Sequence, residues 1–472
     1  MEGEDYQRPL NIKEAEYLIL QFTNNIVVCG SVHLEQTTHT LETITAAFSG
    51  ATQQIQAENP LWNTSVVNRG TAAAPKYFFV KKHVKEGRPP APIPVIVHQT
   101  DDIASREQLC SICADEVQES ALHLPRVRLL VPSHPEGSTT TAPLINQVVV
   151  IMTVPHFIAD GRSSLEQFKR LLVCALAPQI PLPDGPLQRL TEGHVPMVPK
   201  NTLPFWYIIG TYLYFVAFLL WSEYIGRPIE MMRSPQPDMH IEFGTGKMLT
   251  EDMISTRSLF DILLLNAAET HLLLVTSKKL GVTVTTLLSF AIAKSIAITT
   301  KAPAGSNIAG GGAIDIRPQL GLSRSVNGCF VTGFLLVHCI HESDQVTLAE
   351  IRRVSNFNSV GSSRFIATLF LKKTSKKTVI TAKKAPFELH LAYGVSSLGK
   401  YDAIELGDTI SVQGIFFGSS STPLQGTQLK LHAVTFDNCL SISVSASQAI
   451  ISQSDFDACM TALRRCISNM CQ

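Results

Sequence analysis

Charge is scarce in this chain and evenly split. Lysine and arginine number 39 against 39 acidic residues, and charged residues make up only 17% of the chain. Without a basic excess there is no electrostatic footprint for nucleic acid, which removes that partner class. Ten cysteines occur, but with no framework spacing; that argues against a secreted disulfide scaffold and fits free thiols in a reducing compartment. Cys110-x-x-Cys113 has no second cysteine pair and no histidine pair nearby, so no metal site is expected. No repeat of fixed period is present, which disfavours solenoids and propellers. A G-x-S-x-G nucleophile elbow is missing. The glycine-rich stretch Ala309–Gly312 is not followed by Gly-Lys-Ser/Thr, so it is not a phosphate loop, and it is expected to be a bend admitting the next strand. The first twenty residues carry charges and no long apolar core, so no signal peptide is expected and cytoplasmic is the default location.

What is present is apolar and long. At 472 residues and 45% hydrophobic, the chain exceeds one compact core and suits two domains of roughly 200 residues. A proline-rich linker at 178–204 marks the boundary, giving a first lobe at 1–200, a crossover segment at 201–234 and a second lobe at 235–472. Residues 201–222 contain no formal charge and many aromatics, among them Phe205, Trp206, Tyr207, Tyr212, Phe215 and Trp221. The length would cross a bilayer as a helix, while aromatics at both ends suit a membrane interface or the cover of a lipid-binding groove; a buried crossover helix is the plain alternative.

Residues 144–176 organise the rest. A Val- and Ile-rich run at 144–154 reads as a buried strand, and Leu165, Phe168, Leu171, Leu172 and Ala175 recur at helical spacing. Between them lies His156-Phe-Ile-Ala-Asp160-Gly161, a tight loop that leaves the imidazole at a strand end, with Ser163 or Ser164 as candidate helix caps. Elsewhere, helices are expected at 41–57 with Thr40 as cap, at 283–297 and at 456–467. Strands are expected at 76–80, 94–98, 127–131, 271–275, 313–316 and 331–340, with a hairpin of 429–436 and 440–444 turning at Asp437-Asn438.

The H-x-x-x-D-G spacing after a buried strand and before a helix resembles the active-site motif of the CoA-dependent acyltransferase superfamily, which includes chloramphenicol acetyltransferase and peptide-synthetase condensation domains. Three further segments fall in the family's order. Residues 41–62 resemble its first helix, Ala313-Ile-Asp-Ile-Arg317-Pro318 its arginine-bearing strand, and Val395-Ser-Ser-Leu-Gly399 its S-N-x-G segment, with Ser397 where asparagine is usual. Pro155 stands where many relatives carry a second histidine, and the D-F-G-W-G motif of the plant branch is missing. The alcohol acetyltransferase and polyketide-associated branch is nearest.

The resemblance implies an α/β fold of two chloramphenicol-acetyltransferase-like lobes, mixed sheets flanked by helices, with the active site in a tunnel between them. It implies His156 as general base, Asp160 paired with Arg317 as structural support beside Gly161, and no covalent acyl-enzyme. A histidine suits that task because its free pKa near 6.5 leaves it mostly neutral at cytoplasmic pH. Ser396 or Ser397 could donate to an oxyanion. Acyl-CoA is the implied co-substrate, with no permanently bound cofactor, and the implied acceptor is a hydroxyl on a hydrophobic molecule. N-acylation, carrier-protein-bound acyl transfer and a catalytically silent acyl-ligand binder are the alternatives. Lys372, Lys373, Lys376 and Lys377, in a stretch without acidic residues, read as a solvated loop or as a positive mouth for CoA phosphates, a carrier protein or a membrane surface.

Overall fold

The computed structural model describes residues 7–9, 25–35, 39–68, 77–81, 92–103, 105–118, 125–133, 144–156, 158–180, 257–315, 317–318, 322–324, 326–357, 391–421 and 427–472. The aromatic segment at 201–222 and the lysine cluster at 372–377 lie outside these residues.

The first half runs β1 (Gln7–Pro9), β2 (Asn25–Leu34), α1 (Leu41–Glu58), β3 (Thr64–Asn68), β4 (Tyr77–Lys81), β5 (Val95–Thr100), α2 (Arg106–Gln118), β6 (Arg126–Pro132), β7 (Gln147–Pro155) and α3 (Gly161–Leu176). The second continues with β8 (Ser258–Leu265), α4 (Ala267–Leu280), α5 (Val284–Thr300), β9 (Ser306–Asp315), β10 (Val331–Ile340), α6 (Asp344–Phe357), β11 (Leu391–Tyr401), β12 (Ile410–Ser419), β13 (Thr427–Phe436), β14 (Cys439–Ser447) and α7 (Gln453–Met470). Two mixed sheets result, one ordered β12-β2-β7-β6-β5 and the other β10-β9-β11-β13-β14-β8; a small sheet pairs β1, β4 and β3.

β7 is interior to the first sheet and buried on both faces, which is why its sequence is a continuous apolar run and not an alternating one. Val148, Val150, Met152 and Val154 pack in a cluster with Phe48 of α1 and Phe168 of α3. Val149 and Ile151, on the other face, pack with Cys113 and Val117 of α2 and with Phe260 and Ile262 of β8. The second cluster therefore joins the two halves.

The sheets also exchange a strand. β12, from the second half, pairs antiparallel with β2 at the edge of the first sheet. A division of the chain near residues 200–235 thus does not separate the strands of one sheet from those of the other.

Capping chemistry explains the helices. Thr40 caps α1 and Thr283 caps α5, each accepting from the backbone N–H three residues on. The apolar run at 271–275 is not a strand: Asn266 and Glu269 form a capping box ahead of it and Gly281, at φ 63°, closes it, so it lies inside α4. Local caps overrode a pattern that period alone could not resolve, and Leu272, Leu274 and Val275 remain exposed. Nor do the glycines at 310–312 form a bend. They lie within β9, where a Cβ on Gly310 would sit 2.0 Å from the ring of Tyr393 on the neighbouring strand. The expected hairpin turn is present, with Asp437 at φ 45° and Asn438 at φ 63°, the left-handed pair that matches strand twist. Among the described residues no single helix is long and apolar enough to cross a membrane.

Candidate active site

The end of β7 delivers His156, half-buried, to the loop that precedes α3. Asp160, and neither Ser163 nor Ser164, is the cap of that helix: its Oδ1 accepts from the Ser163 backbone N–H at 2.9 Å. The short carboxylate outcompetes the serines because it sits one residue ahead of the first helical position, where a side-chain oxygen reaches an unpaired N–H.

The same carboxylate holds a buried ion pair. Arg317 is fully enclosed, at 0% exposure, and Asp160 is 4% exposed. Nη1 meets Asp160 Oδ2 at 2.8 Å and Nη2 meets Oδ1 at 3.1 Å. The rest of the guanidinium is spent on its surroundings: Nε donates to the Val326 carbonyl at 2.9 Å, and Nη2 donates to Ser163 Oγ at 2.7 Å and the Gly328 carbonyl at 3.1 Å. Nη1 also lies 3.0 Å from Asp315. Phe330 donates its backbone N–H to Asp160 Oδ2 at 2.9 Å and places its ring 4.8 Å from the guanidinium carbon. Burial works against the charge on Arg317, but Asp160 and then Asp315 outweigh it and raise the pKa above its ordinary value. This network fastens the 326–330 loop of the second half to the His156 loop of the first.

Gly161 is a matter of space. A Cβ there would come within 2.9 Å of the Phe417 ring of β12. Phe417 in turn meets His432 of β13 edge-on, with centroids 5.1 Å apart and planes at 75°. The loop, the exchanged strand and the second sheet are therefore in contact behind His156.

Two residues, one in contact with His156 and one joined to its loop through Phe417, carried no mark in the sequence. Cys329 Sγ donates to the His156 carbonyl at 2.8 Å and stands 3.5 Å from the imidazole Nδ1. His432, 6% exposed, has Nε2 3.0 Å from Ser419 Oγ. Burial first, and then the electrostatic influence of Lys430 and His156, lower its pKa to about 3, so it is neutral. Around it runs a buried polar seam. Lys430 Nζ donates to the Ser420 carbonyl at 2.6 Å, and the hydroxyls of Ser443 and Ser445 donate to the carbonyls of Phe417 and Ser419. Loss of solvent lowers Lys430 to about 7. In sequence, the alternation of Gln428, Lys430 and His432, and of Ser441, Ser443, Ser445 and Ser447, has the period of a solvent-facing strand. Only the stacking of the two sheets makes that face internal.

His156, Asp160, Gly161 and Arg317 therefore converge, although 161 positions separate the first from the last in the chain. Ser396 and Ser397 are half-buried on β11. Ser396 is in register with His432 and shares its face, whereas Ser397 is in register with Ala433 and belongs to the helix-covered face. Far along the second sheet, Cys339, His341 and Glu350 offer three donor atoms within 4.8 Å of one another. His341 already bonds Glu350 at 2.7 Å and Cys339 bonds Asn307 at 2.7 Å, so the geometry is accounted for without an ion. Cys110 and Cys113 are both free thiols on α2.

No family model matches the chain and no curated protein sequence matches it significantly. Its fold, by contrast, is widely shared among solved structures. The TRI3 trichothecene 15-O-acetyltransferase from Fusarium sporotrichioides superposes with a TM-score of 0.69 at 13% identity, covering 98% of this chain and 95% of the other. The first condensation domain of the CDA synthetase gives 0.62 at 11% identity over 100% and 97%. The condensation domain of the Monacolin K polyketide synthase MokA gives 0.58 at 13% over 99% and 98%. Essentially the whole chain has the two-lobed α/β fold of acetyltransferases and condensation domains that the motif resemblance implied.

Proposed function

We propose that the protein transfers an acyl group from acyl-CoA to a hydroxyl of a hydrophobic acceptor, with His156 as the general base. The observation that supports this most directly is a half-buried histidine at the end of an interior strand, on a loop held in place by the enclosed Asp160–Arg317 pair that joins the two lobes. His156 takes the proton of the acceptor hydroxyl as its oxygen attacks the thioester carbonyl. The new C–O bond forms, the C–S bond breaks, and the proton passes to the departing thiolate. Because Cys329 gives its S–H to the His156 carbonyl, its sulfur lone pairs face Nδ1. A proton held on Nδ1 leaves Nε2 as the basic nitrogen. Asp160 is committed to Arg317, the helix cap and Phe330, so it supports the loop and does not touch the reacting atoms.

Carrier-protein-bound acyl transfer is the second reading, favoured by full-length likeness to condensation domains. A peripheral membrane contact through 203–221 and a cytoplasmic location remain expectations of the sequence. Thiol release from a set of acyl-CoAs, with and without an alcohol panel, tests the proposal. Activity that falls about 10²–10⁴-fold in His156→Ala, with an unchanged melting temperature, is the expected result. Activity that survives the substitution refutes it, and turnover only with acyl-loaded carrier protein selects the second reading.

A further inference from the structure

We infer that the His432 imidazole is a hydroxyl-binding subsite for the acceptor, set on the inner face of the second sheet; this rests on the acyl-transfer reading of His156. His432 is nine-tenths buried, and its Nδ1 has no hydrogen-bond partner among the described residues. Enclosed polar atoms of this kind are nearly always satisfied, by protein, water or ligand. The other ring nitrogen is occupied by Ser419 Oγ at 3.0 Å, so the ring is oriented and cannot turn Nδ1 elsewhere without breaking that bond.

The position relates to the reacting residue in two ways. Phe417 lies edge-on to His432 and packs against the backbone of Gly161, within the motif that carries His156. His156 is also close enough to act on His432 electrostatically. Phe417 therefore links the ring, on the second lobe, to the loop that carries His156.

The chemistry of the ring selects the ligand class. Ser419 Oγ can receive a proton from Nε2 while donating to the Ser420 carbonyl at 3.5 Å, or give its proton to Nε2. In the first case Nδ1 is a bare acceptor, and in the second it carries the proton and donates. A hydroxyl, donor and acceptor at once, satisfies both states; a carbonyl or an ammonium satisfies only one. Lys430, on the same face, donates to the Ser420 carbonyl and not to the ring.

Glutamine places its amide where Nε2 was and preserves the reach to Ser419, whereas asparagine places its amide where Nδ1 was. Full-length protein with ¹⁵N-labelled histidine is titrated with 1-decanol, farnesol and 2-decalol. At least one alcohol is expected to shift the His432 ring nitrogens. Its affinity should weaken about 10-fold in His432→Gln and stay within about 3-fold in His432→Asn, with melting temperatures recorded for both. Three outcomes overturn the inference: no shift with any of the three alcohols, which assigns Nδ1 to water alone; wild-type affinity in His432→Gln; or a loss in His432→Asn that equals or exceeds that in His432→Gln, which assigns the ring to holding Ser419. Acyl-CoA consumption is followed in parallel. Alcohols bound through His432 by a protein that leaves acyl-CoA intact would sink the acyl-transfer reading while the subsite stands.

Discussion

Replacing Asp160 with alanine removes four interactions at once and leaves their partners in place. Arg317 loses both of its contacts with Asp160, at 2.8 and 3.1 Å, and stays at 0% exposure with no route to water. Stranding a buried charge in this way costs about 3–5 kcal/mol. Asp315, at 3.0 Å from Nη1, still neutralises part of it, which argues for the lower end. Against that, the backbone N–H groups of Ser163 and Phe330 lose their acceptor, and a lost helix cap alone costs about 1 kcal/mol. A total near 4 kcal/mol, in a cooperative unit of about 150–250 residues, lowers the melting temperature by roughly 8–16 °C. Activity falls with it, because the same contacts hold the loop that presents His156. The assay is a thermal melt of the wild type, Asp160→Ala and Asp160→Ala/Arg317→Met, with activity measured well below each transition. The double variant no longer encloses an unpaired charge and should recover part of the loss. A single variant that melts within about a degree of wild type, or a double variant less stable than the single, refutes the reasoning.

Two other consequences are measurable. Cys329→Ala removes the sulfur facing Nδ1 of His156 without touching the ion pair; we expect kcat, measured well below the transition, to fall roughly 10-fold, much less than for His156→Ala, with a shifted acid limb in the pH–rate profile. Glu116, buried on α2, accepts from Thr153 of β7 at 2.7 Å and Arg128 at 2.8 Å and pairs with Arg126. Burial opposes its charge, yet these partners prevail and hold its pKa below the ordinary carboxylate value. Its stabilisation is therefore complete above the unfolded pKa of about 4.3 and is lost as pH falls through the folded value. The difference in melting temperature between wild type and Glu116→Gln should be largest near pH 7 and shrink as the pH falls below the unfolded value of about 4.3; a gap independent of pH would contradict it.

How far the chain could be read before its structure differs from element to element. Sequence alone determined what depends on neighbours in the chain. The Val- and Ile-rich run at 144–154, the loop from His156 to Gly161, the helix after it, the Thr40 cap and the turn at Asp437-Asn438 follow from side-chain period and backbone preference. It also placed His156, Asp160 and Arg317 as a set through the family motif. It misread 271–275, where an apolar run has no period to tell strand from helix, and 310–312, where glycine answers to a tyrosine ring on another strand. Only the tertiary structure decided which polar residues are buried. His432, Lys430 and the serines of β14 alternate as a solvated strand would, and become internal because β12 leaves its own half to complete the other sheet and lies across them. Burial is a property of what covers a surface, and the covering strand and the covered one belong to different sheets.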